Sequence, residues 1–234
     1  DSELELLAKD FEDYKVLNRN GGGGYDLSQT LTDNSGNYTG SVAPRALVAD
    51  FDGDGLAETV FGDFDGDLLI YEFDGSGYTR TFLDTTNLTK SGSNLAAGDF
   101  DGDGIQEIFV AVHTSLNRNE TDFEYEPLYW WMRIFKATGN DQYAVVWEDF
   151  LFDIDTEEYN AVTAANIDTD AADELIFTTF PRTYILDYAG GDYGMAWFHY
   201  GDLATHHLVG DFNGNGVNEV AIGRGDKAVF WEQD

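Results

Sequence analysis

The chain has no cysteine, and only 12 of its 234 residues are basic, against 45 acidic ones. Without cysteine there is no disulfide framework and no thiol chemistry, which leaves the redox compartment undecided. No stretch approaches the 18 or so apolar residues of a membrane-spanning helix, so we expect no membrane insertion. There is no signal peptide, and the start at Asp1 without methionine suggests a processed product or an excised piece.

The formal net charge is −33. A chain this acidic is expected to avoid nucleic acid and anionic lipid, because both would repel it. Two explanations of the charge stay open: solubility or adaptation to salt, and an acidic face for a cationic partner. The basic residues are scattered, and there is no Ser-His-Asp set or phosphate-binding loop, which argues against an enzyme.

One nine-residue segment, 50–58, places acidic residues at its first, third, fifth and ninth positions. A glycine follows the third acidic residue and permits a tight turn. Alternate carboxylates on such a turn can converge on one point. A hard cation such as Ca²⁺ takes about 6–8 oxygen ligands, so the segment is typical of a cation-binding loop.

The segment recurs at 99–107, 166–174 and 211–219, each copy beginning 49, 67 and 45 residues after the one before. A period of this size predicts a repeat architecture. The loops are not EF-hands, because the twelfth position, where an EF-hand has its bidentate glutamate, is apolar in all four. Short β-branched and aromatic runs flank every loop, so we expect each loop to join two buried strands.

A second pattern follows the loops: an apolar strand, a glycine turn, a tyrosine and another strand, as in 69–78, 133–143 and 184–193. Loop and hairpin together give four sequential antiparallel strands, which predicts an all-β chain built as a β-propeller with four-stranded blades. We assign blades to 41–84, 93–152 and 160–200, an incomplete blade to 205–234 and a partial blade to 1–40. About four to five blades are visible in this single domain.

Two closures remain open: the strand near 25–31 completes the last blade of a compact ring, or the chain belongs to a larger propeller of about 6–8 blades. The first 20 residues are also ambiguous. A capping box at 2–5 and one apolar helical face favour a helix. The strand, glycine turn and tyrosine that follow favour a strand leaving a cation loop.

The phrase Asp-Phe-Asp-Gly-Asp-Gly-x-x-Glu followed by an apolar strand resembles the FG-GAP/VCBS repeat family, which is found in integrin α-subunits and in many secreted microbial proteins and lectins. The resemblance covers about residues 41–234. It implies a Ca²⁺-stabilised β-propeller, usually extracellular, that serves in adhesion, in carbohydrate binding or beside an enzyme domain.

The resemblance also implies ligands at loop positions 1, 3, 5 and 9 and a backbone carbonyl at position 7. The implied metal ligands are Asp50, Asp52, Asp54, Leu56 and Glu58; Asp99, Asp101, Asp103, Ile105 and Glu107; Asn166, Asp168, Asp170, Ala172 and Glu174; and Asp211, Asn213, Asn215, Val217 and Glu219. We expect two to four structural Ca²⁺ ions. The third and fourth loops are ranked last because asparagine replaces acidic residues there and ligand charge tunes affinity.

A related sequence, 63–67, opens like a cation loop but runs straight into an apolar strand. We interpret it as a tight polar hairpin, with a fifth ion site as the alternative.

The longest insertion, 113–132, is expected on the face opposite the cation loops. Its aromatic residues Tyr125, Tyr129 and Trp130 are candidates for stacking on a sugar or on a partner's side chain. The alternative is that Trp130 and Trp131 begin a strand and pack between blades. We therefore expect recognition of a protein or glycan through this face. The alternatives are a polysaccharide lyase and a structural repeat in a surface assembly, in which further blades or a partner subunit complete the propeller.

Overall fold

The computed structural model describes residues 5–10, 12–35, 42–86, 88, 92–115, 128–152, 160–179, 181–201, 206–224 and 227–232. All regular secondary structure in these ranges is β-strand, so none of them contains a helix long and apolar enough to cross a membrane. The strands are β1 (Glu5–Lys9), β2 (Asp13–Arg19), β3 (Tyr25–Thr32), β4 (Val42–Ala49), β5 (Glu58–Asp63), β6 (Leu68–Phe73), β7 (Tyr78–Asp84), β8 (Gly92–Gly98), β9 (Glu107–Ser115), β10 (Leu128–Gly139), β11 (Gln142–Phe152), β12 (Asn160–Ala165), β13 (Glu174–Thr179), β14 (Arg182–Ala189), β15 (Asp192–Tyr200), β16 (His207–Gly210), β17 (Glu219–Arg224) and β18 (Lys227–Trp231).

These strands form five antiparallel sheets, which we number in chain order: β1–β3, β4–β7, β8–β11, β12–β15 and β16–β18. Within each sheet the hydrogen-bonded neighbours are strands that follow one another in the chain. The all-β prediction is confirmed, and so is the four-stranded repeat for the second, third and fourth sheets. The helical alternative for the start of the chain is wrong from Glu5 onward, because β1 pairs with β2.

Strand alternation explains how neighbouring sheets share their cores. In β9 the side chains of Ile108, Val110 and Val112 pack with the second sheet, whereas Phe109 and Ala111 pack with the fourth. Successive residues of a strand point to opposite faces, so a continuous apolar run covers both faces at once. The second strands of these repeats therefore read as unbroken apolar segments, and sheets stack face to face in chain order.

The first strands of the second, third and fourth sheets lie close together. Arg45 on β4 donates from Nη1 to the carbonyls of Leu95 on β8 and Val162 on β12, both at 3.0 Å. The loops that follow these strands also touch: the Asp173 amide donates to the Asp99 carbonyl at 2.8 Å. The second and third acidic loops thus lie side by side at one end of the sheets, and Asn218 of the fourth loop donates from Nδ2 to the Asn166 carbonyl of the third at 2.8 Å.

Candidate metal centres

Each acidic nonapeptide joins the first strand of its sheet to the second. In the loop at 50–58, Asp50 accepts hydrogen bonds from the amides of Gly53 at 2.8 Å and Gly55 at 3.0 Å. Both glycines have positive φ angles, 78° and 93°, which L side chains rarely adopt. The third loop has Thr169 and Ala171 at these positions and no positive φ there, so its backbone takes a different course.

The glutamate at position nine is buried and ties each loop to its strand. One oxygen, Oε2, accepts the amide of the residue at position two. The pairs are Glu58 with Phe51 at 2.6 Å, Glu107 with Phe100 at 2.8 Å, Glu174 with Ile167 at 2.7 Å and Glu219 with Phe212 at 2.6 Å. Among the described residues, the second oxygen, Oε1, has no hydrogen-bond partner in Glu58 and Glu174. A buried carboxylate oxygen without a donor is costly unless a cation compensates it.

The first loop brings together one oxygen each from Asp50, Asp52, Asp54 and Glu58, all within 4.8 Å of one another. Burial raises the pKa of Glu58 to about 7, opposed by the Phe51 amide and reinforced by the charges of Asp52 and Asp50. These four carboxylates suit a hard divalent cation, because such a cation binds oxygen ligands.

The third loop groups Asp168, Asp170 and Glu174 in the same way. Burial raises the pKa of Glu174 to about 7, with Asp168 and Asp187 adding to the effect. Asn166 uses its Nδ2 to donate to the Asp170 carbonyl at 2.8 Å, so it closes the loop from within. Three carboxylates remain to face a cation.

The second loop groups Asp99, Asp101, Asp103 and Glu107 but already contains a cationic group. The Nζ of Lys136, on β10, contacts Asp101 and lies 2.8 Å from Asp103 Oδ2 and 3.0 Å from Glu107 Oε1. Burial lowers the pKa of Lys136, but hydrogen bonds to the three carboxylates outweigh it and the net shift is upward. An ammonium thus lies where a bound cation would be.

The fourth loop satisfies its acidic groups with side-chain amides. Asn213 donates to Glu219 and, at 2.9 Å, to Glu232 Oε2, and Asn215 donates to Glu232 Oε1 at 2.6 Å. Asp211 accepts three backbone amides of its own loop. This loop is closed by neutral donors.

Sequence reasoning missed the position on the third strand that faces each loop. The residues at this position are Glu72, Lys136, Asp187 and Glu232. Glu72 pairs directly with Glu58, the ninth residue of its loop, and each of the other three lies one residue beyond the partner of the residue that follows the ninth position. Glu72 approaches Asp52 within 4.8 Å, together with Asp141 from the β10–β11 hairpin. A signal was present in the sequence, because Glu72, Lys136 and Asp187 each stand three residues before a hairpin glycine.

The backbone at position seven is held in all four loops. The amides of Leu56, Ile105, Ala172 and Val217 donate to the side-chain oxygen of position five at 2.8–3.0 Å. Their carbonyls as ligands stay a prediction.

Two of the three aromatic candidates of the insertion, Tyr129 and Trp130, are buried. Trp130 is 2% exposed, lies in the core between the third and fourth sheets and donates from Nε1 to Thr179 Oγ1 at 2.9 Å. Tyr129 is 8% exposed and packs against the ring of Phe150. Both side chains are packed in the interior, which agrees with the alternative given above for Trp130, while Tyr125 lies outside the described residues.

Comparison with known proteins gives one family. Residues 50–110 match the family described as FG-GAP-like repeat, a span that contains the first and second acidic loops and the hairpin between them. No curated protein matches the chain. The resemblance predicted from the motif is therefore confirmed over this span: residues 50–110 form an FG-GAP-like repeat.

Proposed function

We propose that this protein is a Ca²⁺-stabilised β-propeller that recognises a protein or glycan outside the cell. The observation that carries the Ca²⁺ part is a pair of buried glutamate oxygens, Glu58 Oε1 and Glu174 Oε1. Neither has a hydrogen-bond donor in the part of the chain that the structure describes, and further carboxylates surround both. Ion binding would compensate both.

The propeller part is supported by how the sheets follow one another. Four cores join the five sheets pairwise in chain order. The first strands of three sheets meet through Arg45. Radial repetition of four-stranded sheets produces both features. Apolar side chains such as Leu208 and Phe230, more than half exposed on the fifth sheet, suit packing by further blades or a partner subunit.

The ions are proposed to be structural. Every oxygen around them comes from one sheet or the neighbouring hairpin, as with Asp141, whose amide donates to Asp52 Oδ2 at 2.7 Å. Without a cation these carboxylates repel one another and oppose folding. The first and third loops are the preferred Ca²⁺ sites, because Lys136 neutralises the second loop and asparagine amides close the fourth.

Recognition is proposed at a groove of about 310 Å³ between the outer strands of the third and fourth sheets. Its lining includes Trp147, Phe150, Tyr184 and Met195, with Asp149 as a hydrogen-bond acceptor. Aromatic faces beside a carboxylate suit a sugar, whose C–H face stacks while its hydroxyls donate. The net charge of −33 makes nucleic acid an unsuitable partner.

The test has a metal arm and a ligand arm. Calorimetric titration with Ca²⁺ should show one site at the first loop and one at the third, together with a rise in melting temperature. The first of these sites should be lost in Glu58→Gln and the second in Glu174→Gln, and both should be kept in the exposed control Glu12→Gln. A stable protein that binds no Ca²⁺ would refute the metal assignment.

A glycan array probed with wild type and Trp147→Ala should then show binding that needs Trp147 and Ca²⁺. If no glycan binds and unsaturated sugar products form instead, the lyase alternative replaces the recognition proposal.

A further inference from the structure

The turn between β5 and β6, residues 63–67, is buried to an unusual degree for its composition. Asp63, Asp65 and Asp67 are each 0% exposed, and Asp33, 4% exposed, lies near them. One carboxylate oxygen from each of the three turn residues lies within 4.8 Å of the others. The turn is at the far end of β5 from the acidic loop, so this cluster is separate from the sites described above.

Part of this carboxylate chemistry is used to shape the turn. Asp63 Oδ1 accepts the amides of Asp65 at 3.1 Å and Asp67 at 2.8 Å. Asp67 Oδ1 accepts the amide of Thr86 at 2.7 Å. These bonds make the polar hairpin predicted from the sequence, and they use one oxygen of Asp63 and one oxygen of Asp67.

The second carboxylate oxygens of Asp63 and Asp67 take no part in shaping the turn. Asp63 Oδ2 and Asp67 Oδ2 are buried and have no hydrogen-bond partner in the described part of the chain. Unpaired buried carboxylates demand a positive charge or a proton.

The walls around the turn are closed by packing. A Cβ on Gly66 would lie 2.8 Å from Val112 Cγ1 and 3.2 Å from Leu88 Cδ1, and Gly66 has a φ of +85°. Thr86 Oγ1 donates to the Asp65 carbonyl. The aspartates are thus fixed by the second and third sheets together. Mg²⁺ usually keeps several waters, whereas Ca²⁺ accepts a shell of carboxylate oxygens, so an enclosed cluster favours Ca²⁺.

We propose that Asp63, Asp65 and Asp67 bind one Ca²⁺ ion at the end of the second sheet opposite the acidic loops, with Asp33 adding negative charge beside it. Because Asp67 also accepts the Thr86 amide, the ion links the turn to the segment between β7 and β8. It is additional to the ions of the repeat loops and does not depend on their occupancy.

The first test locates the ion in the wild-type protein. Crystals grown in Ca²⁺ are measured at a long wavelength at which calcium scatters anomalously. We expect a peak at about 2.3–2.6 Å from oxygens of Asp63 and Asp67. No peak there overturns the proposal, and the aspartates are then neutralised by protons. Peaks at the loops 50–58 and 166–174 report separately on the proposed function.

The second test counts ions in solution by native mass spectrometry. Asp67→Asn keeps the acceptor for the Thr86 amide but removes the charge, and should bind one Ca²⁺ fewer than wild type. The control Asp26→Asn changes an exposed aspartate and keeps its acceptor for Asn20 Nδ2, so its ion count should be unchanged. An undiminished count in Asp67→Asn overturns the proposal. Should that variant not fold, Asp65→Asn is counted instead and the wild-type peak decides.

Discussion

Replacing Lys136 tests whether the second loop carries its own cation. We expect the wild type to bind no Ca²⁺ tightly at 99–107, because the ion would have to displace an ammonium held by Asp101, Asp103 and Glu107. Lys136→Met keeps the length of the side chain and removes the charge. The variant should gain one Ca²⁺ site, and Lys136→Glu, which copies Glu72 of the second sheet, should bind the ion more tightly.

The structure sets the size of the effect without Ca²⁺. Removing one partner of a buried ion pair costs about 3–5 kcal/mol, because the remaining charge is uncompensated. Glu107 is fully buried, but the Lys136 side chain is 21% exposed, so we expect a loss of about 2–4 kcal/mol. For a chain of this size that lowers the melting temperature by roughly 5–15 °C. Ca²⁺ at about 100 times its Kd should return about 2.7 kcal/mol.

The assay is differential scanning calorimetry with and without Ca²⁺, together with ion counting by native mass spectrometry. Lys227→Met, at an exposed lysine on β18, is the matched control and should change neither quantity. The reverse change, Glu72→Lys, should close the first site by placing an amine against Asp52. If Lys136→Met binds as many ions as wild type and melts at the same temperature, the ammonium is not a built-in cation and the reasoning fails.

Two further predictions concern the unfolding free energy. Glu58 and Glu174 have pKa values of about 7 in the folded Ca²⁺-free protein, above the ordinary 4.5. Between these two pKa values the folded state therefore binds more protons than the unfolded state. Urea unfolding should show that stability falls as pH rises from about 4.5 to 7, by up to about 3 kcal/mol per glutamate. Saturating Ca²⁺ should remove the fall, and a Ca²⁺-free protein that gains stability in this pH range contradicts the shifts. Gly66→Ala should cost at least about 2 kcal/mol, because its Cβ meets Val112, whereas Gly75→Ala at an open turn of similar φ should cost about 1 kcal/mol; equal losses would show that the site can relax.

Much of the fold could be predicted because the same sequence pattern occurs several times along the chain. Four acidic nonapeptides and their apolar flanks give the strand–loop–strand units, and the glycine hairpins give the other two strands. The stacking of sheets does not follow from one repeat alone. It depends on which face of β9 meets which neighbour, and an unbroken apolar strand such as 108–112 gives no preference.

The aromatic candidates show a different limit. Tyr129 and Trp130 lie within the longest insertion, 113–132, and aromatic residues on loops are frequent at binding sites. In the structure they lie at the start of β10, whose alternation places Trp130 in the shared core. Sequence position near a loop does not tell which face of the strand a side chain occupies, and one residue of register decides it.

The predicted ranking of the loops rested on the charge within each nonapeptide, which is only half of each site. The other half comes from the third strand, where pairing with the second strand brings Glu72 or Lys136 against the loop. The same backbone hairpin can thus present a carboxylate that adds a ligand or an amine that replaces the ion. Because these two residues occupy equivalent positions, a single substitution there should convert one kind of site into the other while the loop itself is unchanged. The residue on the third strand that faces the loop, as well as the loop sequence, therefore determines how many ions such a repeat protein holds.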